Sequence, residues 1–412
     1  MKLHQPLTGA AEILFEYGEQ VPVIDTHEHV PRTESLYIAT PIRFGDLFVP
    51  YITGDLSSAG MALPKDAVDF HRIDDDWDAF GPAWAAVRYG SYARALRIAL
   101  QRFYGVDDLT RENHREIVER INANRGPGIY HRIFREACRI ERAILCASEL
   151  PEPGDPILAG NIVSPSMIAI SRTGIELIAK DVGASEVKTL DELVEASDRW
   201  MELQVAKGAV EFKTWTVPIE SPDRARAEES LQHVLRGEDG PIERVFDLGT
   251  YIREANARKA AQLGVPMAIH TGVLRDFRGV DVRHLIGFIT RNPDTRMDIY
   301  HFGIPSVRAC IQVVKNFSNA YLNLCWAHIV ASDMVTASLK EAIDMVPVNK
   351  VFAFGADYVT FIETVYGHLY IARENVAIAL GDRVDRCLMD LDDAKEILKA
   401  WFYDNPKRFY GL

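Results

Sequence analysis

The chain has 412 residues, of which 48% are hydrophobic and 25% charged, an ordinary globular composition with enough apolar side chains for a large core. A net charge of −13 argues against general binding to nucleic acid or to anionic membranes, since both need a basic face, but it leaves room for a local basic pocket. The five cysteines (Cys138, Cys146, Cys310, Cys325 and Cys387) are dispersed with no C-x-x-C pair, which reads as reduced thiols. No apolar stretch reaches membrane-spanning length, and the amino terminus lacks the basic-then-apolar pattern of a secretory leader, so a cytoplasmic location is expected.

The first predicted strand is VPVIDTH, residues 21–27. Residues 30–135 then carry no strand repeat. AFGPAWAAVRYGSYARALRIALQRFYG (79–105) has apolar residues at helical spacing, and TRENHREIVERINANRG (110–126) reads as a helix opened by Thr110. The region is expected to be a mainly helical insertion whose aromatic residues Trp77, Phe80, Trp84, Tyr89 and Tyr92 pack its own core. The acidic run from Asp74 to Asp76 is expected to be a solvated turn or helix start, because nothing near it completes a ligand set.

From residue 139 strands and helices alternate. Strands are predicted at RIERAILCAS (139–148), PSMIAIS (165–171), AVEFKTW (209–215), VPMAIHTG (265–272), RMDIYHFG (296–303), AYLNLCW (320–326) and VFAFGADY (351–358). Helices are predicted at 190–208, 243–264, 283–293, 305–317, 338–349 and 363–380, with Gly208 and Gly264 as stop residues. Eight apolar strands, most separated by helices, imply a parallel sheet buried on both faces and fit a (β/α)8 TIM barrel. A doubly wound open sheet is the alternative, but no glycine-rich phosphate turn follows the first strand. The organisation is then 1–29 for the start of the barrel, 30–135 for the helical insertion and 136–412 for the remainder.

In such barrels chemistry sits at the C-terminal ends of the strands. The pair His27 and His29 in VIDTHEHV (23–30) is weak on its own, but Lys213, His270, His301 and Asp357 stand at the ends of strands four, five, six and eight. His27 and His29, two residues apart on a strand, point the same way.

With these residues the chain resembles the amidohydrolase superfamily, whose pattern is H-x-H on strand one, lysine on strand four, histidines on strands five and six and aspartate on strand eight. PMAIHTG, FAFGADY and the closing NPKRFYGL are most similar to its amidohydrolase-2 branch. The insertion after strand one, and HTGVLR with Arg275 past the strand-five histidine, are similar to uronate isomerases; those typically lack the strand-six histidine, so His301 departs from their pattern.

The resemblance implies a divalent metal, zinc in the first instance, held by His27, His29, His270 and Asp357 with an open position for water or substrate. Asp357 would also act as general base, and His301 would polarise a carbonyl or stabilise an oxyanion. Lys213 bridges two metals only if carboxylated. Glu211 shares its face, and an ion pair between them would keep the lysine protonated, which favours one ion over two. Arg275, Trp326 and His328 are candidate substrate contacts; Arg275 suggests an anionic substrate, unless it pairs with Asp276 or Glu363. Tyr358, His71 and Arg88 are candidates to close over the pocket. The implied activity is metal-dependent hydrolysis of a small carboxylated substrate; uronate-type isomerisation or decarboxylation is the alternative on the same fold, and a non-enzymatic metal-binding barrel ranks last. No nucleic-acid or membrane partner is expected, whereas the aromatic insertion could serve as a lid or as a homo-oligomer interface.

Overall fold

The computed structural model of the protein describes residues 3–62, 73, 75–215, 221–237, 243–273 and 276–412. Eight parallel strands form one sheet in chain order: β1 Val23–Glu28, β2 Ile140–Ala147, β3 Leu158–Val163, β4 Ala209–Trp215, β5 Met267–His270, β6 Met297–Ile299, β7 Ala320–Asn323 and β8 Val351–Phe352. With helices between most of them this is a (β/α)8 barrel. The register of β4 on β5 sets Trp215 beside His270.

One strand lies elsewhere than expected. PSMIAIS does not form the third strand; its start is the short helix Pro165–Ile168, and β3 is the preceding LAGNIV. Pro165 at the first helical position has a preset φ and no N–H to lose, while Gly160 and Asn161 weaken the strand signal of LAGNIV. Gly160 serves close approach instead, since a Cβ there would lie 2.2 Å from the Leu150 side chain. The helix expected from Thr110 begins at His114, because Asn113 Oδ1 accepts the Thr110 N–H at 2.8 Å and turns the chain first.

The chain divides into two compact units. The first comprises Met1–Ala143, Cys325–Glu341 and Ala353–Asp404. Between β1 and β2 its described residues are helical, with helices Trp77–Val87, Ser91–Tyr104 and His114–Asn124 the longest. Phe44, Phe48, Phe80 and Trp84 pack there with Leu96, Leu100, Ile117, Ile121 and Phe361. The rings of Phe44, Phe48 and Phe80 lie 4.8–5.0 Å apart. Phe80 and Trp84 thus do pack the core, Trp77 and Tyr92 pack partly against it, and Tyr89 is exposed. Of the acidic run, Asp76 caps the helix Trp77–Val87 by accepting the Asp78 N–H, Asp75 pairs with Arg115, and Asp74 lies outside the described residues.

The second unit comprises Ile144–Leu324, Ala342–Phe352 and Asn405–Leu412. Its strands enclose a polar network. Glu211 accepts hydrogen bonds from Asn161 Nδ2 at 2.6 Å and the Tyr300 hydroxyl at 2.8 Å, and Asp298 accepts from Asn323 Nδ2 at 3.0 Å and from the Tyr410 hydroxyl. Burial pushes the Asp298 carboxyl up to about 7 and the Glu211 carboxyl, which lies beside it, well above its ordinary value. The expected Lys213–Glu211 ion pair does not form: the lysine ammonium stands 3.7 Å from the centre of the Tyr300 ring, while Glu211 is engaged by Asn161, Tyr300 and Asp298.

None of the five cysteines is in a disulfide; Cys387 is exposed and the other four are buried. No helix among the described residues is long and apolar enough to cross a membrane.

Asp298 sets a pH dependence. Its folded value of about 7 lies above the ordinary 3.8, so the folded state holds this proton more tightly; the stability this contributes is full below about pH 4 and lost as pH rises through about 7. The slope is about 1.4 kcal/mol per pH unit for one proton. Between pH 5 and 7.5 the urea midpoint of the parent is expected to fall, and that of Asp298→Asn to fall less; an equal fall in both would refute the assignment.

Candidate active site

The first unit brings three of the predicted ligands together. β1 is buried along its whole length and delivers His27 and His29 at its end. Asp357 follows β8 with φ +63°, a left-handed conformation that aspartate tolerates better than most residues. Its Oδ1 lies 3.4 Å from His27 Nε2 and 3.4 Å from His29 Nε2, and the two rings are 4.6 Å apart. Donors around a tetrahedral ion at ~2.1 Å stand about 3.4 Å from one another, so the separation of Asp357 Oδ1 from each imidazole is one that two ligands of a divalent cation would have. His29 is 38% exposed while His27 and Asp357 are buried, which leaves one side of the trio open.

This geometry comes from the way residues 353–358 lie along β1. The Phe354 carbonyl accepts from the backbone N–H (3.1 Å) and hydroxyl (2.8 Å) of Thr26, Asp357 N–H donates to the His27 carbonyl at 2.8 Å, and His29 N–H to the Tyr358 carbonyl at 3.1 Å. Asp25 and Glu28 accept the N–H groups of Ala356 (3.0 Å) and Tyr358 (2.9 Å). Burial raises both carboxyls, Asp25 to about 7. Gly355 permits the approach, because a Cβ there would stand 2.5 Å from Cys325 Cβ and 2.7 Å from Thr26 Oγ1.

Tyr51, from the helical region, donates its hydroxyl to the Asp357 carbonyl. Its ring stacks on Trp326 at 4.6 Å and on Tyr92 at 5.3 Å. Trp326, half-buried in left-handed conformation, therefore belongs to an aromatic stack beside Asp357. Tyr358 is buried edge-on to Tyr51. His328 is placed otherwise than a substrate contact would be. It is wholly buried, Nε2 donates to the Ala353 carbonyl at 2.8 Å, Nδ1 accepts from Asn375 at 3.1 Å, and burial lowers its pKa to about 4. Arg88 pairs with Asp108 at 2.9 Å.

The second unit holds the remaining candidates. His270 is sandwiched in part by Trp215, ring on ring at 4.4 Å, and its Nε2 donates to the Gly272 carbonyl at 3.2 Å. With that tautomer Nδ1 accepts from His301 Nε2 at 2.9 Å. His301 follows β6 and opens a run, His301, Phe302 and Gly303, whose φ values are 66°, 56° and 65°. Such backbone costs about 1–3 kcal/mol per non-glycine residue and tends to persist at functional sites. Arg275 and His71 lie outside the described residues.

Sequence reasoning missed Tyr51, the Asp25–Glu28 pair and Gly355. The glycine within FAFGADY carried a signal, since glycine inside a strand pattern marks close backbone approach. Tyr51 carried none.

Comparison with known proteins gives concordant results. The amidohydrolase family model Amidohydro_2 matches residues 173–412, which include Lys213, His270, His301 and Asp357 but not His27 or His29. No curated protein matches the chain by sequence. A uronate isomerase from Thermotoga maritima has a similar structure, with a TM-score of 0.79 and 16% identity over 98% of each chain. So does a glucuronate isomerase from Caulobacter crescentus, with a TM-score of 0.77 and 17% identity over 100% of this chain and 96% of that one. A uronate isomerase from Bacillus halodurans gives 0.73 and 13% over 98% of each. At these identities the structural likeness establishes the fold, and the family model spans more than half the sequence. On that ground the chain belongs to the amidohydrolase family.

Proposed function

We propose that this chain is a metal-dependent enzyme that interconverts the aldose and ketose forms of a small sugar acid of the uronate kind. The observation that carries the reading is the placement of Asp357 Oδ1 3.4 Å from both His27 Nε2 and His29 Nε2, separations suited to ligands of one divalent cation. The full-length likeness to uronate isomerases supports the choice of reaction. Zinc is the proposed ion, because neutral imidazole and carboxylate suit it, and one ion suffices since Lys213 is directed at Tyr300. His270 remains a proposed fourth ligand; it would have to give up its hydrogen bond from His301 to use Nδ1.

Held there, the cation would supply Lewis acidity toward a substrate oxygen. Isomerisation moves one hydrogen from the carbon bearing a hydroxyl to the neighbouring carbonyl carbon, and the hydroxyl proton moves to the former carbonyl oxygen, so the formula is unchanged. Asp357 is the proposed base that takes and returns the carbon-bound proton. The His270–His301 pair offers a second proton site, since an imidazole joined to another by one hydrogen bond can hold or pass a proton. The stack of Tyr51, Tyr92 and Trp326 beside Asp357 is the proposed aromatic contact for a sugar ring or chain. Arg275 is the proposed partner of the substrate carboxylate.

Metal-dependent hydrolysis is the second reading, and His301 favours it. Its strained backbone and its bond to His270 hold an imidazole in the manner of a donor for a developing oxyanion.

Two measurements test these readings. Protein purified without chelator is expected to carry about one zinc per chain, and Asp357→Asn or His27→Ala less than about a tenth of that, because each variant removes a donor from the proposed ligand set. Elemental analysis checks this, and full occupancy in both variants would overturn the site. Incubated with hexuronates, the enzyme is expected to produce a ketose of unchanged mass, read by NMR and mass spectrometry. Uptake of one water with bond cleavage would replace this reading by hydrolysis, and no turnover of any hexuronate would remove it.

A further inference from the structure

The first unit contains two wholly buried histidines with no part in the proposed chemistry, His328 and, on the helix Thr364–Asp385, His368. His368 Nδ1 lies 3.2 Å from the Ala356 carbonyl, and His328 Nε2 lies 2.8 Å from the Ala353 carbonyl. A carbonyl only accepts, so each ring carries its proton on the nitrogen facing the backbone, and the two are opposite neutral tautomers. Burial lowers the pKa of both rings, which keeps them neutral. The orientation of His328 is set in turn by Asn375, whose Nδ2 donates to Nδ1 and whose Oδ1 accepts the Ser332 hydroxyl at 2.8 Å.

The carbonyl held by His368 belongs to the same peptide as the N–H of Asp357, which donates to the His27 carbonyl. That one peptide plane is therefore gripped at both ends, by the helix at its oxygen and by β1 at its nitrogen. Rotation of the plane would change φ of Asp357 and swing its carboxylate away from His27 and His29. The left-handed φ of Asp357 is not its relaxed state, so something must maintain it.

We infer that His368, with His328 as a second anchor three residues upstream on the same segment, is a positioning residue that fixes the Ala356–Asp357 peptide and so places the carboxylate of the metal-binding trio. The inference rests on the reading of His27, His29 and Asp357 as metal ligands.

The test compares His368→Leu, which removes the donor and keeps the bulk, with His368→Asn, whose amide N–H stands near the position of the Nδ1–H, and with Asp357→Asn. Each full-length variant is titrated with Co2+, and the visible spectrum of the cobalt form is recorded. His368→Leu is expected to weaken Co2+ binding about 10- to 100-fold and to alter the spectrum, and His368→Asn to recover most of both. A merely structural histidine would lower the melting temperature of His368→Leu and leave the cobalt spectrum of the folded protein unchanged. The inference is overturned when His368→Leu binds Co2+ like the parent while Asp357→Asn does not. Parental binding by Asp357→Asn as well would overturn the ligand assignment and the inference with it. Should His368→Leu not fold, the 15N-histidine spectrum of the parent decides. Zn2+ is then expected to shift the His368 Nδ1–H resonance, and an unmoved resonance overturns the inference.

Discussion

The barrel closes against β1 through six residues whose backbone is held as much by side chains as by other backbone groups. β8 pairs as a strand only over Val351–Phe352, yet residues 353–358 are buried or nearly so, and buried peptide groups must find partners. Ala353 donates to the Trp401 carbonyl and accepts from His328; Phe354 accepts from Thr26, Gly355 from Trp326 and Ala356 from His368; Asp357 accepts from Tyr51. The N–H groups of Ala356 and Tyr358 go to Asp25 and Glu28. A regular ladder would have satisfied the same groups more simply, but it would have kept Asp357 in extended conformation. Side-chain partners allow the one left-handed residue that turns its carboxylate toward His27 and His29.

That arrangement requires polar groups in places that disfavour them. Asp25 with Glu28 in the first unit, and Glu211 with Asp298 in the second, are buried carboxyl pairs whose ordinary pKa values burial has raised. The first pair uses its oxygens to receive backbone N–H groups next to Asp357. The second accepts from Tyr300, the ring on which Lys213 rests, and from Asn161, Asn323 and Tyr410. In both units the unfavourable burial is offset by hydrogen bonds that orient residues near the strand ends.

Backbone strain is concentrated at those same ends. His301 and Phe302 after β6, Trp326 after β7 and Asp357 after β8 all take positive φ without being glycine. Each position turns the chain out of its strand direction and re-aims a side chain: His301 toward His270, Trp326 onto Tyr51, and Asp357 toward the two β1 histidines. An extended backbone would have sent these side chains alternately inward and outward. Strain at these positions is thus tied to the candidate chemistry and is balanced by the packing on either side of it.

The sequence by itself determined the eight-strand count, the parallel alternation with helices and the residue types at the strand ends, because apolar periodicity, helix stops and side-chain alternation are local properties. It misplaced only the third strand, where Gly160 and Asn161 hid LAGNIV and the apolar MIAI imitated a strand. It also marked Glu211 as sharing a face with Lys213, but it could not say which group Glu211 would meet. The tertiary structure decided that Glu211 turns to Asp298 and Tyr300, that His328 is a support for the backbone, and that Tyr51 and His368 hold the peptide units on either side of the Asp357 α-carbon. These are choices of partner for buried polar groups. They depend on residues from 12 to 306 positions apart arriving within hydrogen-bond distance, and no local pattern in the chain encodes them.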